Sequence, residues 1–149
     1  LLIKGIGKNM EQTLITEETF DNGVTLRLYD VSRKLAGDRW LVALAARAVV
    51  PVGEGLLPDV APESLPEIRQ ALGNEVVFEQ KRERYFIDGA QKAAVFDQML
   101  ETFRTMTRNY VALPQFPARF VAKSFREHLA RKHLEERMNS GNDHPPSPA

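Results

Sequence analysis

One change in hydrophobic spacing constrains this chain more than any other feature. Between the two ends of the chain the hydrophobic period changes from two, in strand-like stretches, to 3.6, in helical ones. Val24, Leu26 and Leu28 alternate with Thr25, Arg27 and Tyr29, which predicts a half-buried strand. Asp21-Asn22-Gly23 before it is a tight-turn signal, so Gln12 to Phe20 is its hairpin partner. Lys34-Leu35-Ala36-Gly37-Asp38 marks the next reversal. From Arg39 to Val52, Trp40, Val42 and Leu44 lie on one face and Leu41 and Ala43 on the other, as in a central or bending strand. A helix over residues 39–50 competes, because Leu-Ala-rich runs propagate helices. The β-branched Val42, Val49 and Val50 favour the strand.

Pro51 to Pro62 reads as loop, and Pro62 to Leu72 as a short helix stopped by Gly73. Glu75 to Ile87 has apolar ends, Val76-Val77-Phe78 and Tyr85-Phe86-Ile87, around a charged centre, which suits a long strand whose middle is solvated or at a sheet edge. Asp88 is the expected N-cap of a helix from Gly89 to Tyr110. On that helix Ala93, Val95, Phe96, Met99, Leu100, Phe103, Met106 and Tyr110 share an arc of about 160°, wide enough to lie across a sheet. Pro114-Gln115-Phe116-Pro117 breaks the chain, and Pro117 opens a last helix to about Met138.

The fold class is therefore α+β: an antiparallel sheet of about four strands, a short helix before the last strand, a long amphipathic helix over the sheet, and a C-terminal helix. Residues 10–138 form the single domain, a length ordinary for one hydrophobic core. Residues 1–9 read as a non-native or flexible leader, since Lys4, Gly5 and Gly7 break its apolar start. Residues 139–149 read as a disordered tail with no large apolar side chain.

Composition removes several chemistries. There is no cysteine, hence no disulfide framework or thiolate site, which fits a reducing compartment and a cytoplasmic location. No apolar run reaches the roughly 20 residues of a membrane span. His128 and His133 are five apart on the last helix, where a metal pair needs spacing of four, and His144 lies in the tail. No metal or cofactor is expected. Gly5-Ile6-Gly7-Lys8 lacks the phosphate-loop spacing, and no G-x-S-x-G or S-x-x-K pattern occurs. Glu17-Glu18 and Glu135-Glu136 are sequence neighbours that diverge in space, and Asp30, Asp38 and the Glu75–Glu83 carboxylates have no catalytic motif around them.

Beneath a neutral total, charge is uneven. From Thr102 to Arg126 there are basic residues (Arg104, Arg108, Arg119, Lys123, Arg126) and no acidic one. On the last helix Arg119, Lys123, Arg126, His133 and Arg137 share an arc of about 80°. Val121, Phe125 and Leu129 form the side expected to be buried, while Phe120 points away from both groups and is expected to be exposed. Leu134 and Met138 rotate toward Phe120, so these three predict a contact that one subunit does not satisfy.

Two partial likenesses to known families accompany these readings. Asp30-Val31-Ser32-Arg33-Lys34-Leu35-Ala36-Gly37 resembles the D-x-S-x-x-G stretch of PilZ cyclic-dinucleotide receptors, but its glycine is two residues late and no R-x-x-x-R precedes it, so no binding residues carry over. From Gln12 to Tyr110 the element order resembles the ββββα unit of PUR-type and Whirly-type single-strand binding proteins. That resemblance implies a nucleic-acid surface of Arg39, Trp40, Lys81, Arg82, Arg84, Tyr85 and Phe86, to which the basic run adds Arg104 and Arg108. The leading expectation is a non-catalytic module that binds a protein partner or a second copy of itself. It would act through Arg119, Phe120, Lys123, Arg126, His133, Leu134, Arg137 and Met138; single-stranded nucleic-acid binding is the alternative.

Overall fold

The computed structural model describes residues 12–53 and 62–142; the leader read over residues 1–9 and residues 143–149 of the tail lie outside the described residues. Strands β1 (Thr13–Thr19) and β2 (Thr25–Asp30) form the first antiparallel hairpin. Its turn closes with Phe20 N–H donating to Val24 O at 2.9 Å and Gly23 N–H to Phe20 O at 3.0 Å. Gly23 sits at φ 88°, which a residue without Cβ adopts at no steric cost.

The two-residue strand β3 (Arg33–Lys34) was not foreseen from the spacing. It continues β2 along the same side of β4 (Arg39–Pro51), after an interruption at Val31-Ser32. Ser32 bridges that gap: Ala43 N–H donates to its Oγ at 3.0 Å, and its own N–H donates to Asp30 Oδ1 at 2.9 Å. The Asp30-x-Ser32 pattern thus serves as a strand clamp. Residues 39–51 are strand, so the competing helix is excluded. Paired with β2 on one side and β5 (Glu75–Asp88) on the other, β4 has its backbone groups taken up, which outweighs the helical preference of its alanines.

Between these strands lies α1 (Leu65–Leu72), which ends at Gly73 with φ 84° as its C-terminal glycine predicts. After β5 come α2 (Lys92–Val111) and α3 (Phe116–Asn142), the latter running four residues past the expected end at Met138. The Asp88 side chain does not cap α2; its carboxylate takes the Arg39 guanidinium instead, because β4 and β5 bring the two face to face.

All three helices pack on one face of the sheet. Leu26, Leu28, Leu44, Ala46, Ala48 and Val50 form the strand side of the core, met by Leu65 and Ile68, Phe103 and Val111, and Phe116 and Val121 from the helices. Each large side chain fully buried here contributes roughly 1.5–3 kcal/mol. On the opposite face, Tyr29, Val31, Leu41, Ala43 and Ala45 form a second cluster with Leu35, and no described helix joins it. The buried side of α2 centres on Phe103, Thr107 and Val111; Met106 and Tyr110, placed in the apolar arc by spacing, are more than half exposed. Their flank of α2 overhangs the edge of the sheet.

Two contacts from the first hairpin hold α2 in that position. Asn22 Nδ2 donates to Val111 O at 2.7 Å and to Leu113 O at 2.9 Å, satisfying carbonyls that a helix end leaves open. Arg108 donates to both oxygens of Glu18 at 2.7 Å. Asn22→Ala is expected to lower the stability to chemical denaturation by about 1–3 kcal/mol, measured as a shift in urea midpoint at unchanged slope.

Candidate functional site

The residues singled out on the last helix divide into two sets. Arg119, Lys123, Arg126, His133 and Arg137 are exposed along α3, with Lys123 Nζ 3.0 Å from Glu127. Leu134 and Met138 are 53% and 60% exposed, and every residue from 131 to 140 faces solvent. Phe120 is different: it packs against the main core, which corrects the expectation of an exposed aromatic. It stacks on Phe116 at 5.6 Å and meets Phe78 of β5 edge-on at the same distance. Tyr110 completes the ring cluster, 5.0 Å from Phe116 and 5.5 Å from Phe78. Phe78 lies forty-two positions before Phe120 in the chain, so helical spacing alone could not reveal this partner.

The nucleic-acid candidates fall into four separate places. Arg39 is held by Asp88, and the Lys92 ammonium sits 3.8 Å from the centre of the Trp40 ring at the same end of the sheet. Lys81 and Tyr85 lie on the face without helices. Arg82 and Arg84 turn to the helix side, Arg82 lying 5.3 Å from the Phe103 ring. Arg104 and Arg108 face β1, where Glu18 neutralises Arg108.

The geometry brings together something else around β5. This strand pairs with β4 alone among the described residues, so its other backbone edge is open along fourteen residues. Val76 and Phe78 pack on the helix side, whereas Glu79, Lys81, Glu83 and Tyr85 point to the opposite face of the sheet. Arg47 donates to Glu79 at 2.7 Å, and the Tyr85 hydroxyl donates to Glu83 at 3.2 Å; Lys81 pairs with no acid among the described residues.

Beside this edge, Met99, Phe103 and Met106 of α2 line a groove of about 370 Å³ together with the polar side chains of Arg82, Glu83, Arg84, Gln98 and Thr102, so its wall is apolar and polar in about equal parts. The β4–β5 register slips between Trp40 and Val42, where an extra residue of β5 is accommodated. At that bulge Phe86 takes φ 58° while 71% exposed, beside Tyr85 at 56%. A phenylalanine in the left-handed region costs about 1–2 kcal/mol, and this one recovers little by burial. A bulky aromatic is therefore displayed at the end of an open strand at an energetic cost. The open edge, the bulge and the α2 flank were all missed by the sequence reading; the one available signal was the alternation of Glu79, Lys81 and Glu83 within the charged centre of β5.

Among the described residues no cluster of three or more His, Asp or Glu side chains could hold a metal ion, and no helix is long and apolar enough to cross a membrane. No protein-family model matches the chain, and no curated protein or solved structure matches it significantly.

Two substitutions check this geometry. Phe86→Gly is expected to leave the thermal midpoint unchanged or raise it, because glycine relieves the positive φ and costs only about 0.5–1 kcal/mol in unfolded-state entropy. Hydrogen bonds from Arg108 hold the Glu18 carboxyl below its ordinary range, reinforced by the charges of Arg108 and Arg104. A carboxyl lowered in the folded chain stabilises fully at neutral pH and loses that contribution as pH falls through its folded value. Glu18→Gln is thus expected to melt below the wild type at neutral pH, with the gap closing below about pH 4 in circular-dichroism melts.

Proposed function

We propose that this protein is a non-catalytic protein-binding module that receives an extended polypeptide along the open edge of β5. The carrying observation is the coincidence of a long strand edge, unpaired among the described residues, with a groove along its flank where methionines stand among charged and polar side chains. An added strand would satisfy the free backbone groups of β5, and its alternate side chains would enter the groove lined by Met99, Phe103 and Met106. Backbone pairing supplies affinity in such an arrangement and the groove supplies selectivity. Tyr85 and Phe86 add aromatic surface at one end, of the kind enriched at protein contacts.

The exposed distal half of α3 supports a second, helix-mediated contact through Leu134 and Met138. It is the weaker reading, since Phe120 no longer extends that stripe. Nucleic-acid binding has less support still, because its cations are dispersed and two of its arginines are already paired.

The test is selection of extended peptides from a random library on the immobilised protein, followed by amide shift mapping of the labelled full chain. Shifts are expected over residues 79–86 and 99–106, with a tenfold or greater loss of affinity on Met106→Glu, which buries a charge in the groove. Selection of no peptide, or shifts confined to residues 131–138, would overturn the reading. Binding of labelled single-stranded oligonucleotides that weakens steeply with salt would transfer support to the alternative.

A further inference from the structure

We infer that the occupant of the β5 edge is the β5 edge of a second copy, paired antiparallel about a twofold axis at Gln80. The inference rests on the strand-addition reading above and names its partner. Two antiparallel edges from identical chains are related by a twofold perpendicular to the joined sheet. That operation keeps each face of the sheet with its own counterpart, so odd positions of β5 meet odd positions and even meet even.

The side chains then discriminate between registers. An axis at Lys81 sets Glu79 against Glu83 twice and Lys81 against itself, so like charges meet across the joint. An axis at Arg82 sets two guanidinium groups opposite each other. An axis at Gln80 sets Glu79 against Lys81 on both sides of the dyad, and Phe78 against Arg82 on the helix face. No like charges meet directly, and Lys81, which has no acid within its own described chain, acquires one.

The backbone is compatible with the same centre. From Glu75 to Arg84 the β4–β5 register runs without interruption, and the slip between Arg84 and Ile87 ends the regular stretch. The middle of that stretch falls between Glu79 and Gln80. Pairing about Gln80 matches residues 76–84 of the two copies, and the bulge stops the ladder at each end. The same twofold places both α2 helices on one side of the joined sheet, with their Met99 and Met106 flanks turned toward the joint. Charge on an edge strand ordinarily discourages pairing; here the alternating signs admit a reversed copy in this register and repel it when the strands slide by two residues, which moves the axis to Lys81 or Glu79.

The experiment measures the mass of the full chain by sedimentation and light scattering over a concentration series. The wild type is expected to dimerise, and Lys81→Glu and Glu79→Lys are each expected to weaken the dimer about tenfold or more. An equimolar mixture of these two variants is expected to restore it, because each column of like charge then faces its opposite. The native chain has no cysteine, so Gln80→Cys introduces a single thiol, expected to form an interchain disulfide where Arg82→Cys does not.

A wild type that stays monomeric to millimolar concentration overturns the second-copy proposal, and so does a dimer indifferent to both charge variants. If such a monomer still binds selected peptides along residues 79–86, strand addition stands and only its partner is wrong. If it binds none, both readings fall. A dimer abolished by Leu134→Arg but not by Lys81→Glu moves the contact to α3 and also overturns the proposal.

Discussion

The two-sided pairing of β4 governs the rest of this structure. Residues 39–51 bond to β2 and β3 on one side and to β5 along their length on the other. Because that ladder consumes the backbone groups of β4, the strand tolerates four alanines and presents apolar surface in both directions. One surface becomes the floor under the helices; the other carries the cluster around Leu41 and Ala43. The same arrangement makes β5 an outer strand, since its only described neighbour is β4. An unpaired edge of this length is a consequence of where the central strand sits.

The first hairpin then decides what lies beside that edge. Asn22 and Glu18 draw the C-terminal half of α2 toward β1. With Phe103, Thr107 and Val111 turned into the core, the helical rotation sends Met99 and Met106 to the other flank, above β5. The ring cluster of Phe78, Tyr110, Phe116 and Phe120 fastens the start of α3 to both α2 and β5. Beyond it α3 leaves the body, and residues 131–140 have no tertiary packing to shield them. Hairpin, ring cluster and core thus act together to leave the Met99 and Met106 flank of α2 alongside β5, one of the two long edge strands among the described residues.

This geometry places two kinds of surface on the molecule. The distal α3 surface is a charged rod carrying isolated apolar residues, whose contribution to any contact is limited by their number. The β5 surface joins directional backbone groups to a groove of methionines set among polar side chains, the combination on which the proposed strand addition rests. The proposed function follows from this difference.

Much of the architecture was legible in the chain because it is recorded in spacing between near neighbours. Alternation located β2, the break at Gly73 ended α1, and the three- and four-residue spacing located α2, all from contacts within a few positions. Ala-rich β4 stood between strand and helix because its local preference opposes its tertiary role. The packing of Phe120 against Phe78, the loss of Asp88 as a cap and the approach of Arg82 to the Phe103 ring were not legible, since each partner lies far away in sequence. The open edge was hidden for a related reason. Alternating side chains report which faces of a strand are covered, whereas an edge is defined by backbone groups that every residue carries alike. Sequence by itself determined the main elements, their order and the antiparallel sheet they form; only tertiary structure decided which strands lie at the sheet's edges among the described residues and which helix flank stands beside β5.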